Sequence, residues 1–260
     1  MADAAMDGRI KLMLNELKLP TIRSNFRKVA KEVTAAGGDY LAYLHAILEE
    51  EVDDRRSRRV QRRLKEARFR QAKQLADLDP RALPDGVTLD RLNGLASGDY
   101  IDDAMNVIAI GNSGTGKSHV CIALGVAACR QGKRVRFFTA TELACELQEA
   151  QELHSLHRYL RRFAKWDVVI IDELGYMPIS EAAAELLFQA LSERHESGSV
   201  IVNSNLPFGE WAQVFKSERL AVALLDRITH RAHVLEMNGA SYRLASARKK
   251  GGPPKAASAP

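Results

Sequence analysis

Long apolar runs are missing from these 260 residues: none approaches the ~20 consecutive residues that a membrane-spanning helix needs, so no transmembrane helix and no membrane partner are expected. The opening residues, Met1 to Asp7, lack both the basic start and the apolar stretch of a secretory signal, so a cytoplasmic location is the expectation. Cysteine is scarce. Cys121, Cys129 and Cys145 fall in stretches that read as helices and show no metal-ligand spacing, which excludes a disulfide framework and predicts reduced, buried thiols. Acidic residues almost vanish between Arg55 and Lys73, where Glu66 stands alone among Arg55, Arg56, Arg58, Arg59, Arg62, Arg63, Lys65, Arg68, Arg70 and Lys73.

What is present suffices for a sizeable core. Hydrophobic residues make up 46% and charged residues 27% of the chain, with a modest net charge of +5. That length fits one large domain, or a medium domain with a small appendage.

The strongest local signal is Val107-Ile108-Ala109-Ile110 running into Gly111-Asn112-Ser113-Gly114-Thr115-Gly116-Lys117-Ser118. It reads as a buried strand, a G-x-x-x-x-G-K-S loop, and a helix from Lys117 to about Arg130. The glycines permit backbone angles that aim successive N–H groups at one anion, and the helix start adds its dipole. Such a loop cradles the phosphates of a nucleoside triphosphate, with the Lys117 ammonium on the β- and γ-phosphates and the Ser118 hydroxyl on Mg²⁺.

The chain ahead of the loop reads as helical over 9–54, three short helices able to form a small bundle, with Asp39 capping the third. No glycine or proline interrupts 55–73, so a long basic helix follows. Its uncompensated charge suits a nucleic-acid backbone, and Arg55, Arg56, Arg58, Arg59, Arg62 and Arg63 are its candidate DNA contacts. Turn residues over 77–98 mark a boundary, giving a helical domain at 1–75, a phosphate-loop domain at 76–248 and a disordered tail at 249–260. Beyond the loop, strands are expected at 135–138, 167–171, 199–202 and 233–236. Helices are expected at 142–165, 181–196 and around 208–230. Thr139 or Thr141 is available as a cap for the first of them. This alternation means an α/β, three-layer parallel sheet with right-handed crossovers. Arg158, Arg161, Arg162 and Lys165 form a second basic cluster at the end of 142–165.

Trp166-Asp167-Val168-Val169-Ile170-Ile171-Asp172-Glu173 is an apolar strand ending in two acids. In a parallel sheet, ligand groups lie beyond the carboxyl ends of strands, where this pair and the phosphate loop would meet. Asp172 is suited to Mg²⁺ and Glu173 to orienting or deprotonating an attacking water. Val202-Asn203-Ser204-Asn205 closes the next strand at the same end, and Asn205 would reach the γ-phosphate or the water. Arg227 and Arg243 are candidates for the cation that phosphoryl transfer draws to the γ-phosphate.

Taken together, GNSGTGKSH, VVIIDELGYMPIS, VNSNLPFGEW, LLDRITHRAHVLEMNGASYRL and the N-terminal ELKLPTIRSNF closely resemble the IstB family over about residues 10–246. These are ATP-binding helper proteins of IS21-type insertion sequences, similar to the replicative helicase loader DnaC within the AAA+ ATPases. The resemblance implies a Mg²⁺-dependent ATPase that forms a homo-oligomer on duplex DNA, largely without sequence preference. An IstA-type transposase would be its partner, with hydrolysis timing or licensing strand transfer. Lys117 and Ser118 then belong to Walker A, Asp172 and Glu173 to Walker B, and Asn205 to sensor 1. Arg227 resembles a trans-acting arginine finger and Arg243 a second sensor. Residues 139–165 fall where this clade inserts a helix that can face DNA. Sensor-1 strands of relatives often read Thr-Ser-Asn, whereas Asn203 precedes Ser204 here, which leaves open which asparagine reaches the phosphate. The competing readings are a DnaC-type helicase loader, a small-molecule or nucleotide kinase, and a binding protein that uses ATP only as a conformational ligand.

Overall fold

The computed structural model describes residues 2–176, 179–239 and 241. Arg243 and the 249–260 tail lie outside the described residues. The chain forms two compact units, Met1–Arg62 and a larger one from Arg63 onward.

The first unit is built from α1 (Ala2–Glu16), α2 (Pro20–Ala35) and α3 (Tyr40–Ala67), whose last turn belongs to the second unit. Ile22, Phe26, Val29 and Ile47 form its small buried core. Asp39 caps α3 by accepting from the Ala42 N–H at 2.8 Å. Two expected helices are in fact this one helix, because nothing between Tyr40 and Ala67 breaks it. It ends earlier than the expected 73, where Arg68 turns left-handed at φ 58°.

The basic stretch is also less naked than its composition suggests. Its partners lie one turn upstream, at helical spacing: Arg55 pairs with Glu51 at 2.8 Å, Arg56 with Asp53 at 3.5 Å and Arg58 with Asp54 at 2.8 Å. Arg63 bonds Glu66 at 2.9 Å and donates to the Gly132 carbonyl at 3.1 Å, while Arg59 and Arg62 are exposed.

Glu51 does more than pair. Leu19, the residue at the N-cap of α2, makes no side-chain cap bond, and the buried Glu51 carboxylate takes over that task. It accepts from the Thr21 N–H at 2.9 Å and the Ile22 N–H at 3.1 Å. Burial alone would raise its pKa, but the Arg55 hydrogen bond and the two amides outweigh it and hold the carboxyl below its ordinary value. The folded pKa lies below the unfolded one, so this stabilisation is present above the ordinary carboxylate range and lost as pH falls through the folded value. Glu51→Gln is expected to cost the intact chain about 1–3 kcal/mol near neutrality. Thermal unfolding followed across pH checks this: the gap between variant and wild type should close in acid.

The second unit opens with α4 (Leu89–Ala96) and α5 (Asp99–Asp102), then β1 (Asn106–Ile110), α6 (Lys117–Arg130), β2 (Val135–Thr139), α7 (Ala140–Glu152) and α8 (Leu156–Phe163). It continues through β3 (Val168–Leu174), α9 (Glu181–Ser192), β4 (Ser199–Ser204), α10 (Trp211–Phe215), α11 (Glu218–Thr229) and β5 (Ala232–Glu236). All pairings are parallel, in the order β2-β3-β4-β1-β5. Alternate residues of each strand face opposite layers. Ile108, Phe138, Val169, Ile171 and Val202 pack with Leu147, Leu187 and Leu224 of α7, α9 and α11. Val107, Phe137, Val168, Ile170 and Ile201 pack with Leu92 and Leu124 of α4 and α6. These are the three expected layers.

The single helix expected over 142–165 is two, because His154 adopts φ 49° between α7 and α8. Thr139 caps α7 in a reciprocal box, its hydroxyl accepting from the Glu142 N–H at 3.1 Å while Glu142 accepts from the Thr139 N–H at 2.8 Å. Cys121 and Cys129 are buried free thiols as expected, but Cys145 is exposed because it lies on the solvent side of α7.

Candidate functional site

Site geometry starts from the sheet order. β4 lies between β1, which feeds the phosphate loop, and β3, which ends in the acids. Ala109 of β1 is level with Asn203, and Ile171 of β3 with Val202, so Asn203 stands between the loop and Asp172 at the carboxyl end of the sheet.

The loop itself is shaped by three glycines with positive φ, 138° at Gly111, 86° at Gly114 and 94° at Gly116. Gly111 has a second reason to lack a side chain. The Met237 N–H donates to the Ile110 carbonyl at 2.6 Å, and a Cβ on Gly111 would come within 2.4 Å of the Met237 carbonyl oxygen. Thr115, buried, closes the loop from within by donating to the Asn112 carbonyl at 2.9 Å. Gly116 then caps α6, whose first residue is Lys117. The Lys117 ammonium folds back over the loop, donating to the Gly111 carbonyl at 2.7 Å and the Asn112 carbonyl at 2.6 Å.

Ser118 donates from Oγ to Asp172 Oδ1 at 3.1 Å. Asn203 Nδ2 donates to Ser118 Oγ at 2.9 Å and also to Asp172 Oδ1, so the three side chains form one cluster. Asp172 and Asn203 are buried, and Asn203 Oδ1 has no hydrogen-bond partner among the described residues. A serine hydroxyl and a carboxylate within hydrogen-bonding distance, beside an orphaned amide oxygen, form an all-oxygen set of the kind a hard cation takes. Mg²⁺ fits these residues.

Glu173 leaves the cluster by a backbone irregularity. The register between β3 and β4 shifts between Ile171 and Leu174, and Glu173 sits at φ 61°, a conformation costing a non-glycine residue about 1–3 kcal/mol. The bulge turns Glu173 to solvent while Asp172 stays buried, so neighbouring acids occupy different environments at one strand end.

The two asparagines occupy different environments. β4 runs to Ser204, two residues past the expected end, so Asn203 is inside the strand and in the cluster. Asn205 lies beyond the strand, exposed, and takes no part in the hydrogen bonds that join Ser118, Asp172 and Asn203. The signal for Asn203 was there: its position matches that of Asp172 when strand ends are aligned.

Arg227 is held away from this cluster. Its guanidinium lies 4.9 Å from the Phe188 ring centroid, and it shares a cleft with Asn106, His195, Val200 and Arg231. Those residues mark the amino ends of β1, β4 and β5, whereas the phosphate loop is at the carboxyl end, a strand length of roughly 17 Å away. On α8, Arg158, Arg161 and Arg162 are exposed, as is Lys165 just beyond it, while Tyr159, Leu160 and Phe163 are buried.

A five-stranded parallel sheet in this order, with a phosphate loop after β1 and an acid pair closing β3, is a P-loop α/β fold. The solved DnaC helicase loader is similar to it at TM-score 0.53 and 16% identity, over 63% of this chain and 96% of that one. The chain belongs to the family of IstB-like ATP binding proteins, whose profile it matches over residues 12–250. It is 35% identical to an insertion sequence ATP-binding protein of Sinorhizobium fredii, over 93% of this chain and 81% of the relative. It is 34% identical to the protein of that kind from insertion sequence IS21 of Pseudomonas aeruginosa, over 93% and 91%. No helix among the described residues is long and apolar enough to cross a membrane.

Proposed function

We propose that this chain is a Mg²⁺-dependent ATPase that assembles as a homo-oligomer on duplex DNA in the bacterial cytoplasm. There it stimulates the transposase of its insertion sequence, and hydrolysis times or licenses strand transfer. The Ser118–Asp172–Asn203 cluster beside the phosphate loop carries the reading, because it joins triphosphate and cation chemistry in one place. The names of its IS21-type relatives supply the transposition context.

In this reading the loop amides from Gly111 to Ser118 hold the phosphates, and Lys117 exchanges its two carbonyl partners for β- and γ-phosphate oxygens. Ser118 and Asp172 hold Mg²⁺, which neutralises charge on those oxygens. Glu173 takes a proton from the attacking water. Asn203 or Asn205 orients the γ-phosphate or the water. Arg227 acts on a neighbouring subunit's nucleotide, and Arg243 is the second sensor. Arg158, Arg161, Arg162 and Lys165, with the arginines of α3, meet DNA phosphates. Such interactions fix position without reading bases, so sequence preference is weak.

The test is ATP turnover with and without duplex DNA, beside DNA affinity measured over a salt series. Stimulation is expected, with affinity falling steeply as salt rises. Arg158→Ala with Arg161→Ala is expected to flatten that slope by roughly 0.9 for each phosphate left without its arginine. Turnover indifferent to DNA would return the kinase reading. Assembly without a transposase response, but with capture of a replicative helicase, would favour the loader.

A further inference from the structure

At the end of the sheet remote from the phosphate loop, two histidines and a glutamate converge from separate elements. His195 and Glu196 lie in the turn between α9 and β4, and His230 follows the last residue of α11. One potential ligand atom from each lies within 4.8 Å of the other two. His195 Nε2 is 3.8 Å from Glu196 Oε1, and the two imidazole centroids are 5.9 Å apart.

We propose that His195, Glu196 and His230 bind one divalent transition-metal ion of the Zn²⁺ type. Two imidazoles and one carboxylate suit borderline cations such as Zn²⁺, Co²⁺ or Ni²⁺, and three protein ligands leave a fourth position for water. Bonds of about 2.0–2.2 Å put tetrahedral ligand atoms roughly 3.4 Å apart, so closing the set needs only side-chain rotations. All three residues reach solvent, the His195 side chain being 33% exposed.

The backbone beneath is already fixed. Glu196 is left-handed at φ 60°, a strained conformation for a side-chain-bearing residue, and it allows consecutive side chains to fold toward one another. Arg194, buried under the turn, donates to the Phe163 and Trp166 carbonyls at 2.9 Å each and to the Ser199 carbonyl at 3.1 Å. The His230 N–H is anchored on the Asp226 carbonyl at 3.1 Å. Arg227 and Arg231 stand close by and oppose a cation. The Glu196 charge and the stacking of Arg227 on Phe188 reduce that opposition.

A bound ion clamps the α9–β4 turn to the end of α11, three residues from Arg227. The binding is independent of the function proposed above, whereas its consequence for ATP turnover rests on the role given there to Arg227.

The experiment is a Co²⁺ titration of the chelator-stripped full-length chain in excess Mg²⁺, followed by the visible d–d absorption and then by Zn²⁺ displacement. One equivalent per chain is expected. His195→Ala and His230→Ala should each weaken Co²⁺ affinity at least tenfold, Glu196→Gln should weaken it less, and His154→Ala should leave it unchanged. Thermal unfolding in chelator should be the same for all four variants and wild type, while Zn²⁺ should raise the midpoint only where the triad is intact. No Co²⁺ band in the wild type, or a band unaltered in both histidine variants, would overturn the site. An intact site whose loading leaves ATP turnover unchanged would refute only the coupling to Arg227.

Discussion

Replacing Glu173 with glutamine is expected to leave ATP binding intact and to slow its turnover about 10²–10⁴-fold, the range a general base contributes. The substitution removes a charge and a proton acceptor and keeps the shape. Glu173 is exposed at the bulge and makes none of the side-chain bonds that hold Ser118, Asp172 and Asn203 together. Its backbone N–H donates to Asp172 Oδ1 at 3.1 Å, and the amide variant preserves that bond. Phosphate and cation binding are therefore untouched, and the loss falls on the chemical step. Single-turnover hydrolysis beside equilibrium nucleotide binding separates the two. Tight binding with slow turnover supports the assigned role. Unchanged turnover would mean that ATP serves this chain as a conformational ligand. Lost binding would mean that the bulge reshapes the loop when its charge is removed.

The fold is legible in the sequence where one residue type has one local solution. The strand before Gly111, the left-handed glycines and the apolar run before Asp172 each permit little else, and the three layers follow from their alternation. Less legible is whatever depends on partners distant in sequence. Nothing in the run from Arg55 to Arg63 reveals that carboxylates at 51, 53 and 54 neutralise three of its arginines through helical spacing, because those acids precede the run and read as the end of a separate helix. A backbone turn at His154 divides α7 from α8 without glycine or proline to announce it. The bulge at Glu173 is equally silent. Asn203 joins the cluster because β4 lies between β1 and β3, and that order is a tertiary fact. The cap that Glu51 supplies to α2 belongs to the same class: its two ends are 30 residues apart.

The sheet order also sets the second large effect. An Arg227→Ala chain is expected to bind ATP and to lose about 10³–10⁵-fold in turnover, the contribution of an arginine finger. Such a loss, by itself, would not say whose nucleotide the residue serves. Geometry restricts the choice: Arg227 shares a cleft with Asn106 and Val200 at the amino ends of the strands, and the loop lies at their carboxyl ends. No side chain spans that separation, so within one chain the guanidinium and the γ-phosphate do not meet. In the proposed homo-oligomer, a neighbouring protomer in a head-to-tail ring or helix would bring one chain's Arg227 face against the next chain's phosphate loop. Mixing provides the decisive measurement. Arg227→Ala supplies a competent loop without a finger, and Lys117→Ala supplies a finger beside a disabled loop. Each is expected to be inactive alone, and their mixture is expected to recover turnover to a fraction set by how often the two meet in the productive order. Recovery requires that Arg227 act across the subunit boundary. A mixture as inactive as its parts, with assembly intact by size-exclusion, would mean that Arg227 serves the packing of α11 against Phe188 and that the cation at the γ-phosphate comes from another residue.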